Sequence, residues 1–394
     1  MYRIAFFSIY AHGHTNPTLP VVRELTCRGH QVRYYSFAPF REKIQAAGAQ
    51  FVPCDSYLPP APPDLERRVG RDFAALVEMI TQTLLAMDGP VGRDLAQFQP
   101  NCVVSDSLCF WGKLWAAKLA CPYVCSTTTF AFNRHTAKLM KQTPGQFLRL
   151  LAGRGRIRRC MAQLCQAGYP VKGLLSLIEN DGHTDTIVYT SREFQPLADT
   201  FSSRYAFIGP SVPELTHAPR SGGDRQIYIS LGTVNNRSRS FYRACLEALS
   251  WEGVRAVLSL GGGCRPEELG DVPPNVQVLP QVDQLAVLSQ SDAFLSHCGM
   301  NSVSESLYLG VPLVLFPQQE EQGMVARRVQ ELGAGVPLPA PTPAAIHQTL
   351  SLVLADPAFQ HSAQHISEGF RAAGGYRRGA DKILEAAMGS APLP

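Results

Sequence analysis

Short apolar runs alternate with amphipathic stretches from the first residues onward. Residues 3–8 and 32–37 carry near-continuous apolar runs, residues 17–28 and 40–47 space theirs at helical intervals, and Gly13, Gly29 and Gly48 give turn signals between them. Pro17 sits where a first helical turn tolerates it. Strand and helix in alternation predict a parallel sheet covered by helices on both faces. Further strands are predicted at 102–105, 123–126, 186–189 and 205–208.

At 210–223 the text becomes PSVPELTHAPRSGG, where prolines, serines and a glycine pair replace the periodicity, which predicts a linker. A second alternating series follows, with strands predicted at 227–231, 256–260, 276–279, 293–296 and 313–316 and helices at 241–249, 301–309 and 322–332. The expected organisation is an N-terminal domain over 1–210, a linker at 211–223, a C-terminal domain over 224–374 and a last helix within 375–394 that either closes the second domain or crosses back to the first. Both domains read as α/β, doubly wound and Rossmann-like, facing each other across a cleft that would hold the ligands.

Composition narrows the function classes. The 36 basic and 32 acidic residues are too balanced for a nucleic-acid binder. Eleven cysteines, odd in number and without a C-x-x-C pair, suggest free thiols and a cytoplasmic protein rather than a disulfide frame or zinc ribbon. No apolar run is long enough to span a bilayer, and the first residues do not read as a signal peptide. Between Arg134 and Lys172 lie nine Lys or Arg and no acid, Arg154, Arg156, Arg158 and Arg159 among them. That segment fits a solvated basic face, or a surface for an anionic membrane or acidic acceptor. The pattern specifies no oligomeric state.

The strand ending in His297-Cys298-Gly299, with a helix opening at Asn301-Ser302, places backbone N–H groups and a helix dipole beside a glycine that an anion can approach. His297 can donate a further bond to a diphosphate. Glu305, one helical turn after Asn301, can accept two bonds from a ribose diol. Taken singly, each has a structural reading: a capping Asn, a solvated Glu, a core His.

The run from 279 to 326, LPQVDQLAVLSQSDAFLSHCGMNSVSESLYLGVPLVLFPQQEEQGMVA, resembles the donor-binding signature of family 1 glycosyltransferases, which have the two-domain GT-B fold, and most resembles their bacterial macrolide- and flavonoid-modifying branch. The resemblance implies that Gln281 and its neighbours, Val278 included, hold a uridine, and that Glu305 holds the ribose. It gives the diphosphate to His297, Gly299, Asn301 and Ser302, and the sugar hydroxyls to Glu321 and Gln322. Ser230 and Thr233, in S-L-G-T, resemble the family's other phosphate loop. Val278 stands where relatives often carry an aromatic that would stack on uracil, and Val325 where they often carry Asn.

In the N-terminal half, Gly13-His14-Thr15-Asn16-Pro17 resembles the family segment whose histidine is the catalytic base, and Asp106 in VVSDS matches the aspartate that pairs with it. An imidazole with an ordinary pKa near ~6.5 suits removal of a proton from an acceptor hydroxyl. The alternative for Asp106 is a cap for the following helix. The nearby aromatics Phe110, Trp111, Phe130 and Phe132 fit either an acceptor pocket or the core.

The resemblance thus implies an inverting hexosyltransferase moving a sugar from a UDP-sugar, with glucose suggested by Gln322, to a hydroxyl of a small lipophilic acceptor such as a flavonoid or macrolide. No cofactor or metal is implied, and the chain has no D-x-D triplet. Alternatives are a membrane-peripheral transferase acting on a lipid or cell-wall precursor, a UDP-sugar epimerase or hydrolase on the same fold, and a non-catalytic sugar-nucleotide binder.

Overall fold

Apolar runs flanked by helices become central strands because only a sheet covered on both faces buries both sides of such a strand. In the computed structural model the N-terminal sheet contains β1 (Arg3–Phe7), β2 (Gln31–Ser36), β3 (Gln50–Pro53), β4 (Cys102–Asp106), β5 (Tyr123–Thr127), β6 (Asp185–Val188) and β7 (Tyr205–Phe207). The C-terminal sheet contains β8 (Arg225–Ser230), β9 (Val254–Ser259), β10 (Val276–Leu279), β11 (Ala293–Ser296), β12 (Leu313–Leu315) and β13 (Gly335–Pro337). The structure describes residues 1–58, 73–139, 144–171, 173, 184–213, 223–233 and 235–389. Most of the linker expected at 211–223 lies outside them, as do Lys141 and Lys172 of the basic segment.

Pairing is parallel throughout both described sheets. The strand orders are β3-β2-β1-β4-β5-β6-β7 and β10-β9-β8-β11-β12-β13, the doubly wound pattern in each case. Every residue of β4 and of β11 is buried.

The chain forms two compact units, Met1–Ser211 with Gly374–Pro394, and Val212–Ala373. The helix Gly375–Met388 belongs to the first, with Ala380, Ile383 and Ala387 fully buried in its core. Gly379 is what lets it approach: a Cβ there would stand 3.1 Å from both Ile208 and Val21. Lys382 Nζ, 2.9 Å from Asp185 Oδ1, ties the helix to β6.

Two local readings are corrected. Gly13 is not a turn but lies inside the short helix His12–Thr15, which runs through a 3₁₀ turn at Asn16–Thr18 into the helix Leu19–Cys27. Arg156 is not simply a solvated cation, since its Nε donates to Glu78 Oε1 at 2.8 Å on the neighbouring helix Phe73–Phe98.

Candidate active site

Each sheet changes winding direction at one place. In the first it lies between β1 and β4, so the loops leaving their carboxyl ends diverge to opposite faces and leave a crevice at the strand ends. His14 follows β1 and Asp106 ends β4. The His14 helix is anchored by buried hydroxyls: Thr15 Oγ1 lies 3.3 Å from Ser8 Oγ, which lies 3.1 Å from Ser36 Oγ, and Thr18 Oγ1 donates to the Thr15 carbonyl at 2.8 Å.

His14 Nδ1 lies 2.8 Å from Asp106 Oδ2, with side-chain exposures of 16% and 1%. Asp106 Oδ1 accepts from Leu108 N at 2.9 Å, and the helix Phe110–Lys118 begins after Cys109 with no side-chain cap. The carboxylate is therefore directed at the imidazole and its own turn, not at that helix. Thr128 Oγ1, 3.0 Å from the same His14 nitrogen, had no signal in the sequence. His12 sits edge-on to Phe40, and burial, then the Lys43 charge, lower its pKa.

The aromatic candidates divide. Phe110 and Trp111, 6% and 3% exposed, are packed in the core of this unit, the second of the two places open to them. Phe130 is half-buried against Phe194, and Phe132 is 49% exposed.

In the second sheet the reversal lies between β8 and β11, which end side by side at Ser230 and Ser296. His297 follows at once, and its imidazole fills the space over two glycines. A Cβ on Gly232 would come within 2.6 Å of Cε1, and one on Gly299 within 2.5 Å of Nε2. Burial pushes the His297 pKa down to about 4, against a smaller opposing pull from the Ser230 backbone, so the ring is neutral at physiological pH. Its Nδ1 is buried with no hydrogen-bond partner among the described residues.

Gly299 is the N-cap of the helix Met300–Tyr308, which has no side-chain cap, and Asn301 and Ser302 lie in its first turn. Glu305, on the same helix, accepts from Gln284 Nε2 at 2.6 Å, and that nitrogen also reaches Ser302 Oγ at 3.3 Å. Burial raises the Glu305 carboxyl to about 7, with the Gln284 bond working against it and the Asp283 charge adding to it.

Around this centre Ser230 Oγ accepts from Gly232 N at 3.1 Å, and Thr233 and Gln281 are exposed. Val278 lies in β10, half-buried against the core. Glu321 and Gln322 open the helix Glu320–Glu331, where Gln322 Oε1 accepts from Gln318 N at 2.8 Å. Asn236, which the sequence did not mark, is buried and donates to the carbonyls of Gly232 at 3.0 Å and Gly261 at 2.8 Å, joining the loops after β8 and β9.

Residues 254–374 match the family described as Erythromycin biosynthesis protein CIII-like, C-terminal domain. The chain is 31% identical to a protein of Bacillus subtilis (strain 168) named uncharacterized UDP-glucosyltransferase YojK, over 98% of each chain. It is also 31% identical to demethyllactenocin mycarosyltransferase of Streptomyces fradiae, over 85% of this chain and 75% of that one. The crystal structure of CalG4, the calicheamicin glycosyltransferase, covers 99% of this chain and 98% of its own with a TM-score of 0.80 and 30% identity. The two parallel-sheet units are those of a GT-B glycosyltransferase. The chain belongs to the family 1 glycosyltransferases, in the bacterial branch that includes macrolide glycosyltransferases, and is an enzyme of that family.

Proposed function

We propose that the protein moves glucose from UDP-glucose to a hydroxyl of a small lipophilic natural product, such as a flavonoid or macrolide, with inversion and without a further cofactor. The observation that carries this reading is the 2.8 Å contact between His14 Nδ1 and Asp106 Oδ2 at the winding reversal of the N-terminal sheet. With the Nδ1 hydrogen given to Asp106, Nε2 is the basic nitrogen, and the buried carboxylate steadies the imidazolium that forms. The acceptor oxygen attacks the anomeric carbon and loses its proton to Nε2. The bond from that carbon to the diphosphate breaks, and its electron pair leaves with UDP.

In this reading His297, Gly299, Asn301 and Ser302 take the charge developing on the diphosphate through a neutral imidazole and the helix N-terminus. Ser230 and Thr233 flank it, Glu305 holds the ribose, Gln281 and Val278 the base, and Glu321 and Gln322 the sugar. Gln322 and the name of YojK support glucose, whereas the mycarosyltransferase shows by its name that relatives move other sugars. The lipophilic acceptor is supported by Tyr10, Leu108 and Phe132, which stand 58%, 46% and 49% exposed in the segments after β1, β4 and β5. The name of CalG4 supports a natural product.

Mass spectrometry on UDP-sugars crossed with phenolic, macrolide and sterol acceptors tests the proposal. A hexose adduct with UDP-glucose on a phenolic or macrolide acceptor is expected. Turnover of the UDP-sugar that is indifferent to acceptor overturns transfer in favour of hydrolysis or epimerisation.

A further inference from the structure

We infer that Thr128 is a positioning residue that holds the His14 imidazole in the tautomer with hydrogen on Nδ1, leaving Nε2 as the basic nitrogen. This rests on the reading of His14 as the base. Thr128 follows β5, beside β4 in the sheet, and is 2% exposed. Its Oγ1 lies 3.0 Å from His14 Nδ1 and 3.5 Å from Asp106 Oδ2, and those two atoms are 2.8 Å apart.

Three polar atoms in a triangle must share the available hydrogens. A carboxylate oxygen only accepts, and a hydroxyl has one hydrogen and two lone pairs. With hydrogen on Nδ1, the ring donates to Oδ2, the hydroxyl donates to Oδ2, and a hydroxyl lone pair faces the ring N–H. In the other tautomer a bare Nδ1 would face the carboxylate oxygen at 2.8 Å, lone pair against lone pair, with a single hydroxyl hydrogen for both. Thr128 thus gives the ring N–H a second acceptor and Asp106 Oδ2 a second donor. Both contacts persist when a proton reaches Nε2, so the hydroxyl favours the imidazolium as well.

Among the described residues, the other titratable groups near the pair carry no charge at neutral pH. Burial raises Tyr34 on β2 to about 12 and raises Cys109, and it also raises Tyr189 just beyond β6, so all stay uncharged at neutral pH. His12, on the same short helix, has a lowered pKa through burial and the Lys43 charge, and is neutral too.

Long-range ¹H–¹⁵N spectra of the full chain labelled at histidine nitrogen, with His14→Gln to assign the resonance, read tautomer and titration directly without substrate. In Thr128→Val the hydrogen should redistribute toward Nε2, the His14 midpoint should fall by about 0.5 in pH, and Thr128→Ser should restore both. Unchanged signals from the other histidines show that a variant is folded, and Thr128→Ala serves if the valine variant is not. Wild-type tautomer and midpoint in a folded valine or alanine variant overturn the inference. Full activity in His14→Ala alongside a redistributed tautomer in Thr128→Val would reject the base and leave the positioning role standing.

Discussion

Gln284 Nε2 donates to Glu305 Oε2 at 2.6 Å, fixing a carboxyl that burial has raised to about 7. If Glu305 accepts bonds from a ribose diol, its ionised form binds donor better. UDP-sugar affinity should then be about tenfold weaker near pH 6 than near pH 8. Glu305→Gln should bind weakly at both, without the slope. Calorimetric titration at the two values decides it, and an equal slope in the variant would detach the pH dependence from Glu305.

Glu305 and His297 make stability depend on pH in opposite directions. Glu305 is raised from 4.5 to about 7, so between these values the folded chain binds the extra proton and stability falls as pH rises. His297 is lowered from 6.5 to about 4, so the unfolded chain binds the extra proton and stability rises through that window. Each contributes a slope of at most about 1.4 kcal/mol per pH unit. Urea midpoints against pH should rise more steeply from about 4.5 to 6.5 in Glu305→Gln than in wild type. In His297→Gln they should fall over the same range.

Gly299 and Gly232 should fail differently when replaced by alanine. Gly299 has φ −61°, open to any residue, so Gly299→Ala meets the ring of His297 without backbone strain and should cost about 1–3 kcal/mol of stability, with donor affinity falling about tenfold or more. Gly232 has φ +74°, so its alanine variant meets the ring and also takes on left-handed strain of about 1–2 kcal/mol. Denaturant melts should rank Gly232→Ala below Gly299→Ala. The reverse order would mean that the clash at Gly299 outweighs the clash and the left-handed strain at Gly232 together.

Asn236→Ala removes two buried bonds between the loops after β8 and β9. It should cost about 2 kcal/mol and, with Gly232 in the loop proposed to flank the diphosphate, raise the KM for donor more than it lowers kcat. A drop confined to kcat would place Asn236 in the chemistry instead.

What the sequence disclosed follows from the range of the forces involved. β4 and β11 were legible because strands buried on both faces need continuous apolar runs, as in CVVSD and AFLS. The three-residue β13, and β3 with its ends exposed, carry too little pattern to mark a strand. The helix Phe73–Phe98 contains Pro90, which reads as a breaker. Around the site, His297, Gly299 and Glu305 lie on one strand–turn–helix unit, so local spacing carried them. Thr128 and Asn236 have no such mark: their contacts reach across 114 residues to His14 and 25 to Gly261, and only the folded sheet makes them. Phe110 and Trp111 had the right composition for a pocket and went to the core, because position relative to the sheet, not residue type, decides burial.

Acceptor-dependent UDP release by wild type and His14→Ala, at one saturating UDP-sugar concentration and with product analysed for anomeric configuration, bears most directly on transfer by an imidazole base. The expected result is an inverted product from wild type and a rate lower by a factor of about 10²–10⁴ in the variant, with donor affinity unchanged. A His14→Ala rate equal to wild type, or a product of retained configuration, contradicts it.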